Sequence, residues 1–183
     1  SFNPDVVAFS CYIWNIEKIL PLCRRLKENS GCIIVLGGPE VEYRQEDILR
    51  NNSFVDYVIS GEGEWSFSTF INALSENDFE EAEGVSYLSD SSLILIPAKA
   101  HTDTPPSPYC AEYFHNLRGR IAYIEAGRGC PFRCAYCLSG QLSGLRYFDE
   151  NSVFDNIVKL SHSGTKTIKF IDRTFNADAE KAN

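Results

Sequence analysis

The chain has 183 residues, 44% of them hydrophobic and 23% charged, enough apolar content for one proper core or two compact units and too much for a disordered tail. Its 25 acidic against 17 basic residues give a formal charge of -8, which argues against a dedicated nucleic-acid surface, because phosphate neutralisation needs clustered Lys and Arg. There is no apolar run of about eighteen residues and no signal-peptide pattern at the start, so a cytoplasmic setting with no membrane partner is expected.

DVVAFS, residues 5 to 10, is a short apolar run ending in a small polar residue, and WNIEKILPLCRRLKEN after it has apolar residues at helical spacing. CIIVLGGP, 32 to 39, is a β-branched strand running into Gly37-Gly38-Pro39, with a helix expected in VEYRQEDILRNN. VDYVIS, 55 to 60, ends in Gly61-Glu62-Gly63-Glu64 and is followed by the helical pattern WSFSTFINALS. Three successive strand, glycine loop and helix units predict an α/β fold with a doubly wound parallel sheet covered on both faces. Loops after parallel strands gather on one edge, where such sheets bind ligands, so Ser10, Gly37, Gly38, Gly61, Glu62 and Gly63 are candidate binding residues. None of these loops is a GxGxxG or a P-loop, and any one glycine also serves simply to make a tight turn.

GVSYL, 84 to 88, and SLILIP, 92 to 97, flank a turn-like Ser89-Asp90-Ser91 and predict a hairpin at the edge of this first unit, which is placed at residues 1–97. A proline-rich linker is expected over 98–118. From 119 to 183 a second unit opens: RIAYIEAG reads as a strand, NSVFDNIVKLSHSG from Asn151 to Gly164 as a capped amphipathic helix, and TKTIKFID, 165 to 172, as the next strand.

Between the first of those strands and the helix stands EAGRGCPFRCAYCLSG, with three of the seven cysteines within eight residues. In a reducing compartment such spacing speaks of metal or redox chemistry before disulfides. Cys11, Cys23, Cys32 and Cys110 stand at no ligand spacing and are expected to be small buried hydrophobes. A structural zinc wants four ligands and no histidine lies close by in sequence; His115 and His162 read as ordinary histidines. A cubane 4Fe-4S cluster held by three cysteines leaves one iron open to a small chelating molecule. Both metals remain open on spacing alone.

Cys130, Cys134, Tyr136 and Cys137 match every position of Cys-x3-Cys-x-aromatic-Cys, and the stretch resembles the radical S-adenosylmethionine (radical SAM) family, particularly its branch with RGCPFRCxYC after a strand. The resemblance implies that Cys130, Cys134 and Cys137 ligate three irons of a 4Fe-4S cluster and that S-adenosylmethionine binds the fourth. Tyr136 would lie against the adenine of that cofactor, and Asp172, in FIDRTFN, would take its ammonium, with Arg173 a weaker candidate beside it. Gly127 and Gly129 would permit the tight loop, and Arg128 and Arg133 would add cluster-side charge unless they are solvated loop residues. Asp172 departs from the common Gly-Gly-Glu form of its motif.

The first unit, with GG-P and then DYVISGEGE, looks like the cobalamin-binding domain of the B12-dependent radical SAM branch, which includes proteins similar to anaerobic magnesium-protoporphyrin IX monomethyl ester cyclase. That resemblance covers residues 4 to about 75 and implies a cobalamin site at Ser10, Gly37-Gly38-Pro39 and Gly61-Glu62-Gly63. The Asp-x-His-x-x-Gly segment that supplies a lower cobalt ligand in many such domains is not found in the chain. The expected function is reductive cleavage of S-adenosylmethionine for methyl transfer or cyclisation on an unknown small molecule, with a flavodoxin- or ferredoxin-like protein as reductant. The rival is a non-catalytic interaction module holding structural zinc. The chain opens at Ser1 and has no methionine, so it reads as a piece of a longer protein, inactive alone, unless methionine is carried as a modified residue. DVVAFS would then be an exposed edge that pairs with upstream chain or with a second molecule.

Overall fold

The structure is a computed structural model that describes residues 3–138, 144–178 and 180. The chain divides into two compact units, Ser1–Ala100 and His101–Asn183.

In the first unit a five-stranded sheet has the order β1-β2-β3-β4-β5, with β1 Val6–Ser10, β2 Ile33–Gly37, β3 Tyr57–Ile59, β4 Val85–Ser89 and β5 Ser92–Leu95. The first three strands pair in parallel, and the expected hairpin β4–β5 continues the sheet antiparallel to β3, so the sheet is mixed. β1 forms one edge, as its sequence suggested.

Alternation along β2 sets the layers. Ile34 and Leu36, both 0% exposed, face Ile16, Ile19 and Cys23 of helix α1 (Ile16–Ser30) and Ile48 and Leu49 of α2 (Gln45–Asn51). Val35 faces the other way, into Phe70 and Ala73 of α3 (Gly63–Glu76). A β-strand sends neighbouring side chains to opposite faces, so three consecutive apolar residues demand a helical cover on both sides. Lys27 near the end of α1 ties the layers together. Its ammonium donates to Asp56 at 2.7 Å and to the Cys32 carbonyl at 3.0 Å, while Asp56 accepts the Ile34 N–H at 2.7 Å. The helix expected over 41–52 starts only at Gln45, because the Gly38 carbonyl takes the N–H groups of both Val41 and Glu42 and closes a turn there instead.

The second unit contains two small sheets. β6 (Ile121–Ile124) and β9 (Thr167–Phe170) run parallel, joined through α5 (Glu150–His162). Leu160, Ala122 and Ile124 form its core, with Val153, Ile157 and Ile168 against them. Asp149 caps α5 by accepting the Ser152 N–H at 2.8 Å, so the helix begins at Glu150, one residue before its expected start. β7 (Gly127–Gly129) pairs antiparallel with β8 (Leu145–Tyr147). Residues 98–118, read as linker, contain α4 (Ala111–His115), and Tyr109, Tyr113, Phe114 and Leu117 join the core of this second unit. Among the described residues, no helix is long and apolar enough to cross a membrane.

Candidate functional site

The register of the first sheet puts Ser10 beside Gly37 and Gly37 beside Ile59, so the loops after β1, β2 and β3 leave from one row. That row gathers the candidate residues of the first unit. Gly38 has φ +100°, and a Cβ there would stand 2.8 Å from the Cys11 carbonyl oxygen, so this loop is closed by backbone lying directly against backbone. The Cys11 N–H completes the contact by donating to Gly37 at 2.7 Å. The loop after β3 is latched from α2 and the turn before it: Glu42 accepts the Gly61 N–H at 3.0 Å, and Gln45 donates to the Ser60 hydroxyl at 2.9 Å. Glu62 takes the N-cap position of α3 and Gly63 its first helical residue.

The sequence reading passed over the residues between Ser10 and α1. Ile13 is 77% exposed and Trp14 72%, and the Trp14 indole stacks on Tyr12 with centroids 4.5 Å apart. WNIEKIL reads as one continuous helix, yet the helix begins at Ile16, and Asn15 folds back to accept the Tyr12 N–H and donate to the Ser10 carbonyl. An exposed apolar step therefore stands at the sheet edge that gathers the candidate binding residues. The signal in the sequence is the run Cys11-Tyr12-Ile13-Trp14, apolar and aromatic residues placed directly after a strand end.

In the second unit the cysteine loop springs from the β7–β8 ribbon. Gly129 has φ +98°, and a Cβ on it would collide with the Gly144 carbonyl; the Cys130 N–H donates to that same carbonyl at 3.1 Å. The two ends of the loop are thus pinned together. Cys130 and Cys137 are half-buried and Cys134 is exposed; all three are free thiols. The Cys137 N–H donates to the Cys134 carbonyl at 3.0 Å. Tyr136 is 93% exposed, and Arg133 is exposed too. Arg128 faces away from solvation: it forms a two-bond pair with Glu125 at 2.7 and 3.0 Å and lies over the Phe148 ring.

Asp172, just after β9, accepts the Ala126 N–H through both carboxylate oxygens at 3.0 and 3.2 Å. It also lines a cavity of about 520 Å³ with Phe148, Phe154, Phe170 and Phe175. Arg173 is exposed. Among the described residues no three His, Cys, Asp or Glu side chains are drawn together as a metal-binding group, so the three sulfurs do not converge as they stand. The donor chemistry nevertheless fits a cluster. Three free thiols share one pinned loop, while His115 and His162, which a zinc reading would call on, are exposed on α4 and α5.

The other four cysteines separate into two kinds. Cys11, Cys23 and Cys32 are buried in the first core, and burial raises the Cys11 thiol to about 11 and the Cys23 thiol to about 12. Cys110 contradicts the expectation of burial. It is exposed at the N-cap of α4, because the short helix turns its aromatic residues to the core and leaves its first residue in solvent.

The chain thus joins a Rossmann-like α/β unit, with its loops gathered on one sheet edge, to a strand, cysteine loop, helix and strand. The comparisons with known proteins agree. Residues 1–71 match the B12 binding domain family. The chain is 31% identical to 2-(S-pantetheinyl)-carbapenam-3-carboxylate methyltransferase of Streptantibioticus cattleyicolor over 94% of its own length and 28% of that protein. It is 30% identical to the cobalamin-dependent radical SAM methyltransferase TokK of Streptomyces tokunonensis, with the same coverage of 94% and 28%. Anaerobic magnesium-protoporphyrin IX monomethyl ester cyclases are among its further relatives. In fold it matches the cobalamin-dependent S-adenosylmethionine radical enzyme OxsB with a TM-score of 0.74 at 21% identity, over 94% of this chain and 26% of that one. The chain therefore resembles B12-binding-domain radical SAM proteins through both of its units, and it spans under a third of the length of these relatives.

Proposed function

We propose that the chain contributes the cobalamin-binding and cluster-binding portions of a radical SAM methyltransferase acting on a small molecule. The observation that carries this reading is the pinned loop with three free thiols at the end of β7, in a chain whose first unit matches the B12 binding domain. When bound, the cluster would supply the electron for reductive cleavage of the sulfonium carbon-sulfur bond of S-adenosylmethionine, with methionine as the leaving group, and cobalamin would supply a carrier for a methyl group. Everything else falls to the protein: holding, orienting and keeping water out.

Cys130, Cys134 and Cys137 would hold the cluster, with the ribbon fixing the distance between the ends of their loop. Tyr136, exposed beside Cys137, offers a flat face for an adenine ring. The Asp172 carboxylate is oriented by the Ala126 N–H and lines the cavity, which suits the ammonium of an amino acid cofactor. In the first unit the row Ser10, Gly37, Gly38, Gly61 presents backbone without bulky side chains, and Ile13 and Trp14 present apolar surface next to it. A wide, flat macrocycle matches that pairing of open backbone and exposed indole. The electron would come from a flavodoxin- or ferredoxin-like protein.

Anaerobic reconstitution with iron and sulfide tests the reading, followed by metal analysis and electron paramagnetic resonance of the reduced protein with and without S-adenosylmethionine. About four irons per chain and a spectrum that changes on adding the cofactor are expected. Stoichiometric zinc without a cluster signal sinks it and favours the interaction module.

A further inference from the structure

We infer that Thr174 is a positioning and tuning residue for the cluster, donating a hydrogen bond from its hydroxyl to the sulfur of Cys130; the inference rests on the cluster reading above. Cys130 Sγ and Thr174 Oγ1 are 3.1 Å apart, although the residues are separated by 44 positions in sequence. As a free thiol, Cys130 can be donor or acceptor in this contact. Once the sulfur is a thiolate bound to iron it has no proton to give, so the hydroxyl becomes the donor and the contact becomes charge-assisted.

The approach is built by the fold. Asp172 is tied to the end of β6 through the Ala126 N–H, which fixes the chain as it leaves β9. Two residues later Thr174 sits in a turn closed by the Ala177 N–H on its own carbonyl at 3.3 Å. On the other side Cys130 is held at the ribbon end, where its N–H is bonded to the Gly144 carbonyl. Both partners are half-buried, where a hydrogen bond is less diluted by water than on an open surface. A donor to a ligating sulfur withdraws charge from it, stabilises the more negative reduced cluster and raises its reduction potential.

The test compares wild-type chain with Thr174→Val and Thr174→Ser, all reconstituted anaerobically with iron and sulfide. Valine keeps the shape and removes the donor, while serine keeps the donor. Iron content is counted first, and the reduced fraction is then followed by electron paramagnetic resonance across a series of applied potentials. With equal iron in all three proteins, the valine variant should titrate at a more negative potential, with several-fold less reduced cluster at the wild-type midpoint, and serine should restore most of it. Coincident titrations of wild type and valine variant would overturn the tuning role while leaving the cluster reading intact. Loss of iron from valine and serine variants alike would overturn it too, in favour of packing. If wild type itself holds no iron, the cluster reading falls first and this inference with it.

Discussion

At the edge of the first sheet the loops are held by backbone against backbone, Cys11 on Gly37 and a turn on the Gly38 carbonyl, and by the Glu42 carboxylate on the Gly61 N–H. In the second unit the Cys130 end of the cysteine loop is held by the ribbon and by Thr174, and beyond it the loop exposes Pro131 through Tyr136. The difference follows from what each site would hold. A macrocycle can be met by a surface shaped in advance, whereas thiolates must close around a charged inorganic core whose bonds supply the energy that packing does not. On the proposed reading, one site would be made by the fold and the other by its ligand.

The largest expected effect breaks this contrast from the ligand side. Replacing any one of Cys130, Cys134 or Cys137 with Ala should abolish iron retention after reconstitution, measured as iron per chain after desalting. The same variants should leave urea unfolding of the first unit unchanged, because no residue of its two core clusters is touched. Retention of full iron by the Cys134→Ala variant would remove the three-thiol reading.

Next comes the site made by the fold. Gly38→Val adds a Cβ at φ +100° within 2.8 Å of the Cys11 carbonyl, and should cost roughly 3 kcal/mol in denaturant unfolding, from left-handed strain plus displaced backbone. Cobalamin binding, followed by the visible spectrum, should weaken together with stability. Asp56→Ala should cost about 1–3 kcal/mol, because it strands the Ile34 N–H and takes the charged partner from Lys27, leaving it the Cys32 carbonyl. It acts at the opposite ends of the strands from the ligand loops, so any cobalamin effect should only follow the lost stability.

The buried thiols sharpen the comparison through pH. Cys11 and Cys23 ionise near 9 when unfolded, and burial raises them to about 11 and about 12 when folded. A raised folded value means that this contribution is whole below pH 9 and is lost as pH climbs through 11 to 12. Stability by urea unfolding should therefore decline above pH 9, and less steeply in a Cys11→Ala, Cys23→Ala double variant. At pH 8 iodoacetamide should label Cys134 and Cys110 quickly and leave Cys11 and Cys23 until the chain unfolds.

What could be read from the sequence follows the same division. Strands such as CIIVLGG are legible because β-branched residues run straight into glycines, and their parallel pairing then places Ser10, Gly37 and Gly61 on one edge. The cysteine spacing is legible because it is local. The ribbon that pins the cysteine loop is not: GRG and LRY are three residues each, show no alternation, and meet only because Gly129 leaves room for the Gly144 carbonyl. Tyr109, Tyr113 and Phe114 were hidden in a proline-rich stretch whose composition suggests a linker, although their aromatic rings close the second core. Cys130 and Thr174 were out of reach for the same reason as the ribbon, since their contact exists only across 44 residues.

The smallest effect bears on whether the first site is truly shaped in advance. Glu42 holds the Gly61 N–H from across the loop, half-buried, and the bond ties the turn before α2 to the loop after β3. Glu42→Ala should cost no more than about 1 kcal/mol of stability, since the freed N–H lies in an exposed loop and can turn to water. Its effect on cobalamin affinity should be larger than that loss alone implies, because a loosened loop must be ordered again on binding. Glu42→Gln keeps an acceptor at the same reach and should restore affinity, which separates the hydrogen bond from the charge. Equal affinity in all three proteins would mean that the Gly61 loop is shaped by its own backbone, and that the latch serves the folded unit rather than the ligand.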